Sequence, residues 1–430
     1  MAAQLTRKIT YDPLPSQQRF HESAARFKGF SGPVGSGKSV ALCQEAIRLS
    51  YVNAGRTGLI GAPTYPMLRD ATQISYLEIC EESGLPYSFN KGTNVLTMED
   101  TDSRILFRSL DEYERLRGTN LAWFGVDETT YTTEESWMRL EGRLRDPQAE
   151  RLCGFGVWTP GGFDWVYRRF RAEPVSGYEL IEAEPYENLH LLEKVPDFYE
   201  RLKASYDERF FEQEVLGKYV NLASGQVYYA FDRRANTGTY RLDAHRPLVW
   251  SLDFNLNPMC SVIGQQQGEN FAVLDEIALE TSSTPELCRE FATRYGHHRG
   301  GIEVYGDASG EHGHTVTGTS DFHLIREFFR RQPELRGELR VFRANPPVRD
   351  RVNAVNARLR NAQGERRLFV DARCKELIQD LEQVCYKAGS NVIDKEKDSR
   401  RSHLSDALGY CLYWKYRPLA RAGEQSRRVL

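Results

Sequence analysis

Gly32-Pro33-Val34-Gly35-Ser36-Gly37-Lys38-Ser39 fills every fixed position of the pattern G-x-x-x-x-G-K-[ST]. The chemistry behind that pattern is phosphate binding: glycines let the backbone turn tightly and present successive N–H groups to phosphate oxygens. In such a loop the Lys38 ammonium reaches the β- and γ-phosphates, and the Ser39 hydroxyl ligands Mg²⁺. The flanks supply the context that the loop needs. Phe27 to Ser31 reads as a short strand, and Val40 to Leu49 carries apolar residues at helical spacing. Strand, loop and helix in that order describe a nucleotide site, and the rest of the chain has to say what the nucleotide drives.

The bulk properties narrow the answer. At 430 residues the chain is too long for one ordinary core, so two or three domains are expected. No run of about 18 apolar residues is present, so no membrane span is read. Met1 to Lys8 lacks the apolar core of a signal peptide. The eight cysteines are scattered without a C-x-x-C pair, which argues against thiolate metal sites and a disulfide framework and fits a reducing cytoplasm. A net charge of -3 excludes a globally basic nucleic-acid coat while leaving room for a local basic surface.

Before the loop, Gln17 follows a Pro-broken lead-in, and its amide is able to hydrogen-bond both edges of adenine; a plain surface glutamine is the alternative. After the loop helix, Thr57 to Ala62 reads as a buried strand, Pro63 to Cys80 as a helix opening, and Ser103 to Leu110 as another strand. Leu121 to Val126 is an apolar run that ends in Asp127-Glu128. A buried strand of that kind delivers Asp127 to the Mg²⁺ held by Ser39, and places Glu128 to orient or deprotonate the attacking water. Thr133 to Arg145 reads as a helix with Thr133 as N-cap, and Leu152 to Trp158 as a strand followed by the sharp turn Thr159-Pro160-Gly161-Gly162. Strands alternating with helices around a phosphate loop predict a mostly parallel α/β sheet covered on both faces. Residues 163–222 are mixed, with Asp197 to Lys218 helical. We place the first domain at 1–222 and a turn-rich linker at 223–246.

The pattern then restarts. Leu248 to Asn255 is an apolar strand carrying Asp253, and Met259 to Gly264 and Phe271 to Ile277 follow as two more strands, so an antiparallel meander is expected. Thr284 to Tyr295 is a helix with Pro285 at its first position. Ile302 to Gly306 is a fourth strand running into Asp307, and His403 begins an amphipathic helix with Asp406 in its first turn. Carboxylates on a first strand, at the end of a fourth and in a late helix are how a ribonuclease H-like fold assembles a divalent-metal cluster. Two Mg²⁺ or Mn²⁺ ions about 4 Å apart would activate water and stabilise the leaving 3′-oxygen of a phosphodiester. Glu276 and His403 are further candidates for that cluster; a solvated strand residue and a helix cap are the plainer readings. This domain spans 247–416, and 417–430 is a basic tail expected to be flexible. Between Asp307 and Asp406 lies an arginine-rich tract from Arg326 to Arg367, either a DNA path or a helical face paired with Glu327, Glu334 and Asp350.

The fold class read from these elements is α/β: an N-terminal P-loop NTPase with a mostly parallel sheet, then a C-terminal ribonuclease H-like domain with a mixed sheet. That pairing resembles the large terminase subunit of tailed double-stranded DNA bacteriophages, the genome-packaging motor, over nearly the whole chain. By that resemblance Gln17, in Pro15-Ser16-Gln17, takes the place of the adenine-binding glutamine, Gly32 to Ser39 is the Walker A loop, and Asp127-Glu128 ends the Walker B strand. It further makes Thr159 the residue that couples γ-phosphate sensing to movement. Arg117, in Leu116-Arg117-Gly118, becomes an arginine finger for a neighbouring subunit's ATP, with Arg139, Arg143 and Arg145 as rivals. Asp253, Asp307 and Asp406 match the nuclease aspartates. Two departures stand out: Ser405 precedes Asp406 where many members carry paired acids, and the Walker A loop lacks an extra basic residue that some members have.

The resemblance implies an ATPase and a divalent-metal-dependent DNA endonuclease, acting on double-stranded DNA with the portal protein of the procapsid and a small terminase subunit. It also implies a homo-oligomeric ring when docked, and a place in the host bacterial cytoplasm. Two other readings of the same residues stay open. One is a helicase-nuclease of DNA repair or defence; the other is a motor whose C-terminal domain only binds DNA or the portal.

Overall fold

The structure, a computed structural model, describes residues 11–112, 118–220, 225–255, 257–311, 319–387, 392–395 and 401–416. It divides into two compact units, the first formed by residues 11–199 and 212–220 and the second by residues 200–211 and 225–416. No helix among the described residues is long and apolar enough to cross a membrane.

The first unit is built on an eight-stranded sheet in the order β3-β4-β5-β2-β6-β7-β1-β8. Its strands are β1 (Phe27–Ser31), β2 (Thr57–Ala62), β3 (Tyr87–Asn90), β4 (Val95–Met98), β5 (Ser103–Ser109), β6 (Trp123–Val126), β7 (Cys153–Trp158) and β8 (Tyr178–Glu182). From β5 to β8 every neighbouring pair is parallel, and β3 and β4 extend the sheet as an antiparallel hairpin. Parallel strands covered on both faces read as unbroken apolar runs, and all of Trp123–Val126 and Cys153–Trp158 is buried. Glycine is what lets them pack: a Cβ on Gly58 would meet the Trp123 ring at 2.0 Å.

The second unit carries a seven-stranded sheet in the order β14-β13-β10-β11-β12-β15-β9. Here β9 is Thr237–Gly238, β10 Leu248–Asp253, β11 Met259–Gln267, β12 Asn270–Leu279, β13 Ile302–Gly306, β14 Gly337–Leu339 and β15 Leu368–Asp371. The meander β10-β11-β12 is antiparallel, and β13 runs parallel to β10 on its other side. The mixed sheet is therefore present, as is the fourth strand ahead of Asp307.

Three boundaries differ from the sequence reading. Residues 225–246, expected as part of a linker, belong to the second unit: Val227 and Tyr228 are buried in its core and β9 closes one sheet edge beside β15. Their turn residues mask this, because only short apolar stretches reach the core. The helix expected over Asp197 to Lys218 is two helices, Phe198–Ser205 and Glu208–Glu214. Asp207 makes the break by accepting a 3.0 Å bond from the Phe210 N–H, the geometry of an N-cap. The helix expected over Thr133 to Arg145 is capped by Thr133 as read but stops at Glu141, before Gly142.

Candidate active sites

In the first unit the sheet order places the ends of β1, β7 and β6 side by side. The phosphate loop leaves β1, Thr159 follows β7, and Asp127-Glu128 follow β6, so all three arrive at the carboxyl edge of one parallel sheet, where such folds bind ligands. Lys38 starts the helix Lys38–Val52, and Gly35 and Gly37 ahead of it hold φ of 80° and 75°. The Lys38 Nζ is folded onto its own loop, 2.9 Å from the Gly32 carbonyl and 2.8 Å from that of Pro33. Ser36 caps the Pro33 carbonyl from the other direction at 2.8 Å.

Asp127 is buried, and the Thr72 hydroxyl donates to its Oδ2 at 2.8 Å while the Ser39 hydroxyl lies at 3.4 Å from the same oxygen. Burial pushes the Asp127 carboxyl above its ordinary range, opposed by the Thr72 hydroxyl, the Glu128 N–H and the nearby Lys38 ammonium. Glu128 holds the left-handed conformation at φ 48°, a strained state for a non-glycine residue of the sort that collects at active sites. Thr130, two residues on, donates to the Thr159 carbonyl at 3.4 Å, linking the strand-end acids to the expected coupling residue. Arg117 lies outside the described residues.

Gln17 lies against the phosphate loop. It is buried, its Oε1 accepts from the Leu14 N–H at 2.9 Å and from Tyr11 at 3.0 Å, and its Nε2 donates to the Gly37 carbonyl at 2.9 Å. The amide is spent on the protein, not presented to solvent.

In the second unit β10 and β13 are parallel neighbours with Leu252 opposite Gly306. Asp253 and Asp307 are thus at adjacent strand ends, and the Asp307 N–H donates to the Leu252 carbonyl at 3.2 Å. The helix His403–Lys415 lies against β10, tied by a 2.6 Å bond from the Ser251 hydroxyl to the Ala407 carbonyl. His403, Asp406 and Tyr410 are spaced to share one helix face. His403 Nδ1 meets Asp253 Oδ2 at 3.0 Å, and the Tyr410 hydroxyl donates to Asp307 Oδ2 at 3.0 Å, so this face spans both strand-end carboxylates with Asp406 between.

The electrostatics show how close these acids are. Burial pushes the Asp253 carboxyl up and the charges of Asp406 and Asp307 add to that, against the hydrogen bond with His403. Burial works on Asp307 in the same direction, but donors on Asn345, Ser309 and Tyr410 outweigh it and hold the group below its usual range. Asp406 is paired instead: Arg351 donates to Oδ1 at 2.7 Å and Lys395 to Oδ2 at 3.0 Å. Among the described residues no group of three or more His, Cys, Asp or Glu side chains is placed to hold a metal ion. The donor set has the hard oxygens that Mg²⁺ or Mn²⁺ takes. The Asp406 oxygens are directed at Arg351 and Lys395.

Glu276 is accounted for elsewhere: its oxygens accept the N–H groups of Glu376 and Leu377 at 3.0 and 2.8 Å, capping the helix Lys375–Gln383. The arginine tract is likewise not one surface. Arg351 is buried on Asp406, Arg330 pairs with Glu327, Arg326 with Glu311, and Arg366 donates to the Ala230 and Leu359 carbonyls. Sequence reasoning missed Thr72, Lys395 and Asn345 and placed Arg351 only within the arginine tract; Thr72, Arg351 and Asn345 reach their aspartates from 38 to 55 residues away, and Lys395 from 11. Tyr410 was readable, being one helical turn beyond Asp406.

Residues 252–413 match the family described as the terminase RNaseH-like domain. The large terminase of a thermophilic bacteriophage superposes with a TM-score of 0.68 at 15% identity, covering 94% of this chain and 99% of that one. The large terminase of the same phage in complex with ATP-gamma-S superposes with a TM-score of 0.66 at 16% identity over the same shares of each chain. No curated protein matches the sequence at a significant level. Residues 252–413, within the second unit, are thus similar to the terminase RNase H-like domain, and the chain as a whole shares the fold of a phage large terminase.

Proposed function

We propose that this chain is an ATP-driven motor that moves double-stranded viral DNA into a procapsid and cuts concatemeric DNA at the start and end of packaging. One observation carries the proposal: a single chain pairs a phosphate loop, beside strand-end acids at the carboxyl edge of a parallel sheet, with a second unit in which one helix face reaches Asp253 and Asp307 and carries Asp406. Mg²⁺ at Ser39 and Asp127 would offset charge on the β- and γ-phosphates. On ATP, Lys38 leaves the carbonyls of Gly32 and Pro33 for those phosphates. Glu128 takes a proton from the water that attacks the γ-phosphorus, the bond to the β,γ-bridging oxygen breaks, and ADP leaves. Thr159, bonded through its carbonyl to Thr130, passes the change at β6 to β7. Arg117 of a neighbouring copy is the candidate for stabilising the transition-state charge, so hydrolysis should depend on assembly into a ring.

In the second unit Asp253 and Asp307 would hold Mg²⁺ or Mn²⁺, and Asp406 would join once Lys395 gives up its oxygen. The metal would supply an activated water and stabilise the leaving 3′-oxygen. His403 orients Asp253, and Tyr410 orients Asp307. The portal protein and a small terminase subunit are the proposed partners, in the cytoplasm of a bacterial host. The test is a defined packaging reaction: procapsids, this chain, double-stranded DNA and ATP should leave DNA protected from added DNase. Unwinding of a DNA duplex without any protection would instead favour a helicase-nuclease.

A further inference from the structure

The phosphate loop turns its N–H groups inward, which leaves its carbonyls pointing outward and in need of donors. Two side-chain amides reach them, the Gly37 carbonyl also accepting the Ala41 N–H at 3.0 Å. Gln17 Nε2 donates to the Gly37 carbonyl at 2.9 Å, and Asn188 Nδ2 donates to the Gly35 carbonyl at 2.6 Å. Both glycines are in the left-handed region, and a Cβ on Gly37 would come within 2.5 Å of Gln17 Nε2. The two amides therefore hold the loop from either side in the shape that receives phosphate.

The other end of the Gln17 amide decides what it has left for a base. A glutamine reads adenine by accepting from the 6-amino group through Oε1 and donating to N7 through Nε2. An amide oxygen has two lone pairs. Both are taken here, by the Leu14 N–H at 2.9 Å and the Tyr11 hydroxyl at 3.0 Å. The Tyr11 phenol stays a donor at every working pH, because burial and the nearby Glu45 carboxylate push its ionisation far up. The amide's orientation is fixed as well, since the Leu14 N–H can only donate and the Gly37 carbonyl can only accept. What remains is one hydrogen on Nε2. The purine atom it could meet is N7, which adenine and guanine share, whereas they differ at position 6, where adenine carries an amino donor and guanine an oxo acceptor.

We propose that Gln17 is a positioning residue of the phosphate loop and not a reader of the base, so that any preference between adenine and guanine nucleotides does not depend on it. The inference rests on the nucleotide-site reading given above. The test is equilibrium competition against fluorescent mant-ADP, using the full chain. The ratio of ADP to GDP affinity in Gln17→Ala should stay within about threefold of the wild-type ratio. Gln17→Ala should weaken ADP, GDP and inorganic pyrophosphate alike, by about tenfold for one lost hydrogen bond. Pyrophosphate is the discriminating probe, because it has phosphates and no base. Gln17→Glu keeps both contacts to the amide oxygen while replacing the donor to Gly37, and should show the same uniform loss if the alanine variant folds poorly. A wild-type preference for ADP above about 30-fold that collapses in Gln17→Ala would overturn the proposal, as would weakened ADP binding with pyrophosphate unchanged. Binding that ignores Lys38→Ala would instead refute the nucleotide site itself, and the proposal with it.

Discussion

Beneath the phosphate loop lies a buried ion cluster whose disruption can be worked out in some detail. Lys28 in β1 and Glu45 in the helix Lys38–Val52 are both fully buried, 2.8 Å apart, so they lock the strand before the loop to the helix after it. Glu45 has two further partners, the Arg48 guanidinium at 2.6 Å and the His21 ring at 2.8 Å. Lys28 has the Phe20 carbonyl at 2.6 Å and the Phe20 ring at 4.6 Å, neither of which carries charge. Burial drives the Glu45 carboxyl up, but His21, Arg48 and Lys28 together win and pull it down to about 2 from 4.5, a shift worth about 3 kcal/mol. A depressed carboxylate stabilises the fold above its unfolded pKa, so this contribution is complete above pH 4.5 and fades as the pH falls toward 2. Burial also lowers the Lys28 pKa, which charges a desolvation cost against the pair at neutral pH. The consequence is asymmetric. Glu45→Gln strands a buried ammonium and should cost about 3–5 kcal/mol. Lys28→Met leaves Glu45 with two partners and should cost about 1–2 kcal/mol. Joint replacement, Lys28→Met with Glu45→Leu, should recover most of the Glu45→Gln loss, because neither buried charge is left alone. Urea unfolding monitored by tryptophan fluorescence reads all three. Equal losses for Lys28→Met and Glu45→Gln, or a double variant that shows the sum of both, would refute the reasoning.

Thr72→Val removes the hydroxyl that donates to Asp127 with almost no change in shape; a bond to a charged group is worth about 1.5–3 kcal/mol, so kcat/KM for ATP should fall at least about tenfold. ATPase assays within twofold of wild type would show that Thr72 does not orient Asp127. Arg351→Met leaves the buried Asp406 carboxylate with the half-exposed Lys395 alone and should cost about 3 kcal/mol, seen as a lower melting temperature in calorimetry. An unchanged melting profile would mean that the pair contributes nothing net.

The parts of this fold that were legible in the sequence are those with local signatures. β1 and β2 begin and end at the residues read from the sequence, Phe27–Ser31 and Thr57–Ala62, and the glycines of the phosphate loop hold the positive φ that such a turn requires. Asp253, Asp307 and Asp406 could be placed because each sits at the end of an apolar strand or in the first turn of a helix. The hairpin β3-β4 was overlooked because its strands are short and half-exposed, and β9 because two residues carry no pattern. Tertiary partners were out of reach for a different reason. Thr72 is 55 residues from Asp127, and Arg351 is 55 from Asp406, so nothing in either neighbourhood announces the contact. Gln17 shows the limit most clearly. Its amide contacts the Gly37 carbonyl of the loop, and whether such an amide faces a base or a backbone carbonyl depends on Leu14, Tyr11 and Gly37 closing around it.

The central claim is that one chain houses two chemically independent active sites, one for ATP and one for DNA. Its most direct test is a paired assay of ATP hydrolysis, under conditions where the chain assembles, and of Mn²⁺-dependent plasmid nicking, on wild type, Lys38→Ala and Asp307→Ala. The account predicts that Lys38→Ala abolishes hydrolysis and keeps nicking, while Asp307→Ala keeps hydrolysis and abolishes nicking. Normal hydrolysis by Lys38→Ala, or undiminished cutting by Asp307→Ala, would contradict it.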